Sequence, residues 1–190
     1  MRMAIAELTR LFSDLTPLVE RTLSSKRFAH VTRVITTAEH IAVANELSPL
    51  HIAQVRLAAL LHDLAREYTD EELLAVLPAR NEVEAHHPMA LHGAVAAALA
   101  REHGVTDEVV LEAIELHAFG CRATNLVAAC LYVADKTEPG RGILADAREL
   151  ALSGKLAEAL CLAIRSSVQY LEEHGKEIHP TTYDAYQAAC

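Results

Sequence analysis

The sequence predicts an all-α protein, and three observations support this class. Ala and Leu, which have high helix propensity, dominate the 190 residues, and the hydrophobic fraction is 52%. Only seven glycines and six prolines interrupt the chain, and aromatic residues make up 4% of it. Apolar residues recur at the three- and four-residue spacing of an amphipathic helix, and no segment keeps the two-residue alternation of a strand. A chain of this length can bury the core of one domain.

Helix-start and helix-stop residues divide the chain into its predicted elements. Pro17 fits the first turn of a helix, and Ser48-Pro49 ends one helix before the next begins. Thr69 and Glu72 have the spacing of a capping box, which predicts the start of a helix. Gly104 predicts the end of the helix that runs through His103. The polar segment 81–87 is expected to be a loop. The predicted helices span residues 3–13, 17–25, 26–47, 51–64, 69–77, 88–103, 107–119, 124–135, 143–152 and 155–174, with a last short helix from Pro180.

Charge and composition exclude several classes of protein. The net charge of −9 argues against a general nucleic-acid binder, whose binding surface is basic. No apolar run approaches the ~18 residues of a membrane span, and the first residues lack the order of a signal peptide. We therefore expect a cytoplasmic protein that binds neither nucleic acid nor membrane. Its four cysteines show no close pairing, and we expect all of them to be reduced thiols: Cys121, Cys130, Cys161 and Cys190.

A histidine and an aspartate, His62 and Asp63, follow the apolar run 57–61 at the end of a predicted buried helix. Burying two ionisable groups is costly unless they have a partner, and a metal ion is a partner that both groups can share. Alone, the pair better fits a helix end with a capped, half-exposed aspartate and a hydrogen-bonded histidine. Further ligand-type side chains inside the predicted helices favour the metal.

Six such side chains come from five helices, which is more than one buried pair requires. Asp135 is the hardest of them to explain otherwise, because it ends the apolar run 126–134. The six residues, in chain order, are His30, His62, Asp63, His92, His117 and Asp135.

This series resembles the HD-domain superfamily of metal-dependent phosphohydrolases, and within it the YqeK family of symmetrical diadenosine tetraphosphate hydrolases. The resemblance runs from about Lys26 to the C-terminus. The segments that carry it are Arg27-Phe28-Ala29-His30, Leu60-Leu61-His62-Asp63, Leu91-His92-Gly93, Glu115-Leu116-His117, Leu131-Tyr132-Val133-Ala134-Asp135-Lys136, Glu138-Pro139-Gly140-Arg141 and Ile178-His179-Pro180-Thr181-Thr182.

The resemblance implies a single HD-domain helical bundle over residues 1–190, with a metal-binding core at about 26–142 and helices 143–190 packed on it. It also implies two metals, one held by His30, His62, Asp63 and Asp135 and the other by His92 and His117, with Asp63 bridging. His62 and Asp63 are the expected catalytic residues. Four imidazoles and two carboxylates suit iron, manganese, cobalt or zinc, and the resemblance favours iron.

Four cations adjoin these residues in the sequence and are candidates to bind substrate phosphates. Arg27 precedes His30 by three residues and so shares its helix face. Arg66 stands where the family usually carries a lysine, and arginine keeps the charge while adding a planar fork. Lys136 and Arg141 flank Asp135. Each of the four would also be ordinary as a solvated surface cation.

The function expected from this resemblance is symmetrical cleavage of diadenosine tetraphosphate to two ADP by a metal-activated water. One alternative is hydrolysis of another nucleotide or phosphate ester. Another is oxygen activation by a di-iron HD domain, and a third is a nucleotide-binding module without activity. The complete ligand set argues against the third. A homodimer through the first two helices is an open possibility. We expect segment 120–125 to border the substrate pocket, and we assign the other histidines no metal.

Overall fold

The computed structural model describes residues 3–190, which form eleven α-helices and no strand. The all-α prediction is therefore confirmed. The helices are α1 (Ile5–Thr22), α2 (Ser25–Ala44), α3 (Pro49–Leu61), α4 (Asp70–Val76), α5 (Glu82–His86), α6 (His92–Glu102), α7 (Glu108–Leu116), α8 (Leu126–Thr137), α9 (Ala145–Leu152), α10 (Leu156–Glu173) and α11 (Pro180–Ala189). Short 3-10 turns cover Pro88–Leu91 and Pro139–Arg141.

Helices α3 and α8 form the centre of the bundle. Both are apolar on nearly all sides, as expected of helices that neighbours surround. α3 packs against α1, α2, α7 and α8, and α8 packs in addition against α9 and α10. The C-terminal ends of these two central helices carry His62-Asp63 and Asp135, so the centre of the bundle positions those residues.

Helix α1 is one continuous helix, and the prediction of two helices over 3–13 and 17–25 was wrong. Pro17 lies inside it, where the missing N–H and the ring weaken a helix. An apolar stripe overrides that cost, because Leu8, Leu11, Leu15 and Val19 are all buried at helical spacing on both sides of the proline.

The segment predicted as a loop at 81–87 contains the short helix α5, so that prediction was also wrong. The side chain of Asn81 caps it by accepting a hydrogen bond from the backbone N–H of Glu84 at 3.0 Å. Pro88 then begins a 3-10 turn, and the helix predicted from Pro88 starts only at His92. The other predicted helix boundaries lie within three residues of the observed ones.

The cysteines differ from the prediction in part. Cys161 on α10 and Cys190 after α11 form a disulfide, with Cα atoms 5.1 Å apart, a separation typical of such bonds. They meet because α11 folds back along α10. The sequence separation of 29 residues gives no indication of this tertiary contact. Cys121 and Cys130 are free and buried, as expected.

One continuous hydrophobic core joins residues from the N-terminal helices to α11. The division into a metal-binding core at 26–142 and packed helices at 143–190 stays a prediction. Within residues 3–190, none of the helices has the length and hydropathy to cross a membrane.

Candidate metal centre

Five helices bring the six predicted ligand residues into one buried cluster. His30 lies on α2, His62 and Asp63 follow α3, His92 begins α6, His117 ends α7 and Asp135 lies near the end of α8. All six are buried. Three of the helices, α3, α7 and α8, thus direct their C-terminal ends at the cluster. The negative end of a helix dipole favours a cation there.

Asp63 lies between two groups of imidazoles. Its Oδ2 is 3.4 Å from Nε2 of His62 and 3.7 Å from Nε2 of His30. Its Oδ1 is 3.7 Å from Nε2 of both His92 and His117. One carboxylate therefore presents one oxygen to each pair of histidines, which is the arrangement of a bridging ligand.

The protons of the four imidazoles are fixed on the outer nitrogen. Nδ1 of His62, His92 and His117 each donates to the backbone carbonyl oxygen three residues earlier, at 2.8, 2.7 and 2.7 Å. Nδ1 of His30 donates to Oε1 of Glu138 at 3.0 Å. In a neutral ring this leaves the lone pair of every Nε2 facing the centre of the cluster.

Within residues 3–190, those inward lone pairs have no adequate partner. Nε2 of His62 is buried and has no hydrogen-bond partner among these described residues, and Nε2 of His92 faces Nε2 of His117 at 3.0 Å. Nε2 of His30 faces the carboxylate of Asp135 at 3.0 Å, so a proton or a cation belongs between them. Cations in the cluster would satisfy all of these contacts, and the residues present therefore fit a metal centre.

Charge at the cluster also suits metal ions. Burial opposes ionisation of Asp63, but the imidazoles of His62 and His117 lower its pKa far below the usual range. Burial likewise opposes ionisation of Asp135, yet its contact with His30 and the charge of Lys136 hold its pKa well below normal. Burial, with the nearby His117, lowers the pKa of His92 to about 3. The cluster thus holds two carboxylates and a neutral imidazole, the ligand forms that bind transition metals.

Gly93 allows α6 and α7 to approach closely enough to bring His92 and His117 together. A Cβ at this position would lie 2.8 Å from the carbonyl oxygen of Glu115, 3.0 Å from that of Ile114 and 3.3 Å from Cε1 of His117. Backbone atoms cannot yield at such distances, so the absence of a side chain at this position sets the spacing of the two imidazoles.

Gly93→Ala should therefore push α7 away and separate His92 from His117. We expect loss of about one metal per chain and a lower melting temperature, measured by metal analysis and thermal unfolding. Ala97→Gly, on the same helix, is the control for a general change in helix stability. Full metal content in a folded Gly93→Ala protein would contradict this role.

The four predicted cations all line one cavity over the cluster. This inner cavity has a volume of about 180 Å³, and Asp63, His92, His117, Ala118 and Asp135 complete its wall together with Arg27, Arg66, Lys136 and Arg141. Arg27 donates to Oδ2 of Asp63 at 3.0 Å, and Arg141 donates to Oδ1 of Asp135 at 2.7 Å. Lys136 lies 3.9 Å from Asp135 and over the ring of Tyr132.

Glu138 and Arg33 support the cluster from outside, and the sequence alone did not indicate these contacts. The Glu138 carboxylate is 1% exposed, accepts from Nδ1 of His30, and is held by two hydrogen bonds from the Arg33 guanidinium. These contacts orient the His30 ring from outside the cluster. The spacing could have indicated Arg33, because it follows His30 by three residues on α2, just as Arg27 precedes His30 by three.

The remaining histidines lie away from the cluster. His40 is exposed on α2, and His86 and His87 lie 3.1 and 3.2 Å from Glu177. His179 caps α11 and donates to the buried Glu84 at 3.2 Å. Segment 120–125 lines a separate cavity of about 550 Å³, which shares no lining residue with the inner cavity.

The fold and this cluster define a class of protein, and comparison with known families identifies it. The model of the family described as "HD domain" matches residues 27–140. That span includes all six clustered residues. The chain belongs to the HD-domain family. Family membership implies a bound divalent metal, and the ligand atoms of His30, His62 and Asp135, and those of His62, Asp63 and His117, form two groups, each within 4.8 Å.

Three relatives narrow the comparison. The chain is 31% identical over 175 residues to "Bis(5'-nucleosyl)-tetraphosphatase, symmetrical" of Bacillus subtilis (strain 168), with 88% of this chain and 91% of the relative covered. The protein of the same name from Staphylococcus aureus (strain NCTC 8325 / PS 47) is 30% identical, with 88% of each covered. A crystal structure from Clostridium acetobutylicum, described as a "predicted HD superfamily hydrolase involved in NAD metabolism", superposes with a TM-score of 0.85 at 26% identity, covering 94% of this chain and 96% of that one.

Proposed function

We propose that this chain is a dinuclear-metal phosphohydrolase that cleaves diadenosine tetraphosphate symmetrically to two ADP. The family membership and the names of the relatives support the reaction class and the substrate. The observation that carries the proposal is Asp63, whose two oxygens face two separate pairs of histidines.

The proposed ligand set is the one that the family resemblance implies, and these distances support it. His30, His62, Asp63 and Asp135 would hold one metal, and His92, His117 and Asp63 the other, with His62 and Asp63 as the catalytic residues. Iron is the metal we propose, and manganese, cobalt and zinc suit the same nitrogen-rich donors. Two such cations would supply an activated water for attack on phosphorus.

The protein side chains would bind and orient the polyphosphate. Arg27, Arg66, Lys136 and Arg141 line the inner cavity and place four positive charges around the cluster. Positive groups fixed at this position neutralise the negative charge on the phosphoryl oxygens and the charge that the leaving ADP gains. A neutral polyol, the type of substrate that an oxygenase would require, has no use for four cations. The cavity therefore favours hydrolysis over oxygen activation.

Metal analysis of the purified protein, paired with chromatography of the products from diadenosine tetraphosphate, tests the proposal. We expect close to two transition metals per chain, mainly iron, and ADP as the sole product. ATP and AMP as the products would show that cleavage is asymmetric and not symmetric. Metal without turnover would direct the search to other phosphate esters, and oxygen uptake with a candidate substrate would overturn the hydrolase assignment.

Arg27→Ala should weaken substrate binding while the metal content stays normal. Loss of one charge-assisted contact to phosphate corresponds to an increase in KM of about tenfold. Steady-state kinetics and metal analysis of the same preparations measure the two effects, with Arg10→Ala, an exposed arginine on α1, as the control. An equal loss of metal would show that Arg27 supports Asp63 instead of the substrate.

We also propose that the enzyme acts in the cytoplasm on a small nucleotide and not on nucleic acid. Homodimerisation would involve α1, which the sequence predicted as two helices. Size-exclusion chromatography with light scattering tests the dimer directly.

A further inference from the structure

A second cavity adjoins the inner cavity. It has a volume of about 430 Å³ and is lined by residues at the start of α2, by Glu67, and by the turn after α8. Arg27 and Arg141 line both cavities, so the two spaces meet at these guanidinium groups. We call the second space the outer cavity.

The inner cavity cannot hold a whole nucleotide. Its volume of about 180 Å³ is below the ~300 Å³ at which ligand pockets begin. It has room for the reacting phosphoryl groups above the metal ligands. The rest of a dinucleoside tetraphosphate must therefore extend beyond it, and the outer cavity is the space on the side of His30.

The outer cavity is built for anions. Its charged lining consists of Lys26, Arg27, Arg33 and Arg141 against Glu67 and Glu138. This local excess of positive charge stands in a chain whose net charge is −9. Among the described residues that line it there is no aliphatic, Phe or Tyr side chain on which a base could pack. Its chemistry suits phosphate and ribose.

Among the described residues that line the outer cavity, Lys26 is the cation that remains free for a ligand. Arg27 is paired with Asp63, Arg141 with Asp135, and Arg33 with Glu138. The nearby Glu67 is occupied by Ser24, whose N–H and hydroxyl donate to it at 2.7 and 2.6 Å. Over residues 3–190 no carboxylate lies within 4.0 Å of the exposed Lys26 ammonium group.

We propose that the outer cavity is the subsite for the phosphates of the half-substrate that is not attacked, and that Lys26 recognises them. This subsite would select polyphosphates that are long enough to span both cavities. The inference rests on the proposed function, and it adds a specificity residue that lies outside the metal cluster.

Lys26→Ala tests the subsite through the length of the ligand. We expect KM for diadenosine tetraphosphate to rise about threefold to fivefold with kcat nearly unchanged, the scale of one exposed ion pair. Lys26→Glu should raise KM further. Inhibition by inorganic pyrophosphate, which is small enough for the inner cavity alone, should keep the same Ki in both variants. The rise of KM with salt should be less steep in Lys26→Ala than in the wild type.

Lys155→Ala, which removes an exposed lysine elsewhere on the surface, controls for the change in net charge. Unchanged KM in Lys26→Ala, or an equal change in Ki for pyrophosphate, would overturn the subsite. Affinity for a methylene-bridged, non-hydrolysable tetraphosphate analogue separates the two proposals. If the wild type binds the analogue but does not cleave diadenosine tetraphosphate, the proposed function fails, and the affinity of Lys26→Ala still decides the subsite. If the wild type neither binds nor cleaves, both fail.

Discussion

Asp63→Ala should remove nearly all turnover, because this single side chain lies against both halves of the proposed metal centre. Its Oδ2 faces His30 and His62, and its Oδ1 faces His92 and His117. Without the carboxylate, His92 and His117 lose the negative charge beside them, His30 and His62 keep only Asp135, and nothing fixes the spacing between the two positions. We expect a loss of activity of at least about 100-fold, the upper range seen when residues that only support metal ligands are changed.

The comparison should include metal content and two further variants. Asp63→Asn keeps the shape but not the charge, and we expect it to lose metal as Asp63→Ala does. Asp146→Ala, which removes an exposed carboxylate at the start of α9, should retain full activity. More than about a tenth of the wild-type activity in a folded Asp63→Ala protein would contradict the bridging role.

His62, Asp63 and Asp135 could be singled out from the sequence as buried ligand-type residues because each follows an apolar run. Asp135 follows a run that leaves no solvent-facing side on α8, and His62-Asp63 follows a similar run on α3. The local hydropathy of these helices predicts that they are buried. A charged residue at the end of such a helix therefore indicates a binding partner before any tertiary contact is known. The same logic explains why the fold class was predictable.

What the sequence did not reveal depends on contacts between distant segments. Glu138 meets His30 and Arg33 across more than 100 residues of chain, through the packing of α2 against α8. The segment Glu138-Pro139-Gly140-Arg141 carries part of the family resemblance, but nothing in it indicates that the carboxylate turns inward. Pro17 lies inside a helix for a related reason. Packing of the apolar stripe of α1 outweighs the tendency of proline to interrupt a helix.

Glu138→Gln should weaken metal binding while the fold is retained. His30 differs from the other three imidazoles, because its Nδ1 donates to a buried carboxylate instead of a backbone carbonyl. A carboxylate partner increases the electron density on Nε2 and holds the ring at a fixed angle, so its loss typically lowers metal affinity by about 10- to 100-fold. Glutamine preserves size but removes the charge, and its amide group would face either His30 or the Arg33 guanidinium as a second donor.

Competition with a chelator measures this affinity, and thermal unfolding of the metal-free proteins shows whether the fold is intact. Arg33→Lys should have a smaller effect in the same direction, since lysine keeps the charge but loses the fork that fixes both carboxylate oxygens. Glu108→Gln, which disrupts an exposed glutamate–arginine pair with Arg101, is the matched control. If Glu138→Gln binds metal as tightly as the control does, the carboxylate serves only to join α2 to the turn after α8. If the affinity falls while the melting temperature of the metal-free protein stays the same, the effect acts through His30, and the metal position on this side of Asp63 is the one that Arg33 and Glu138 tune.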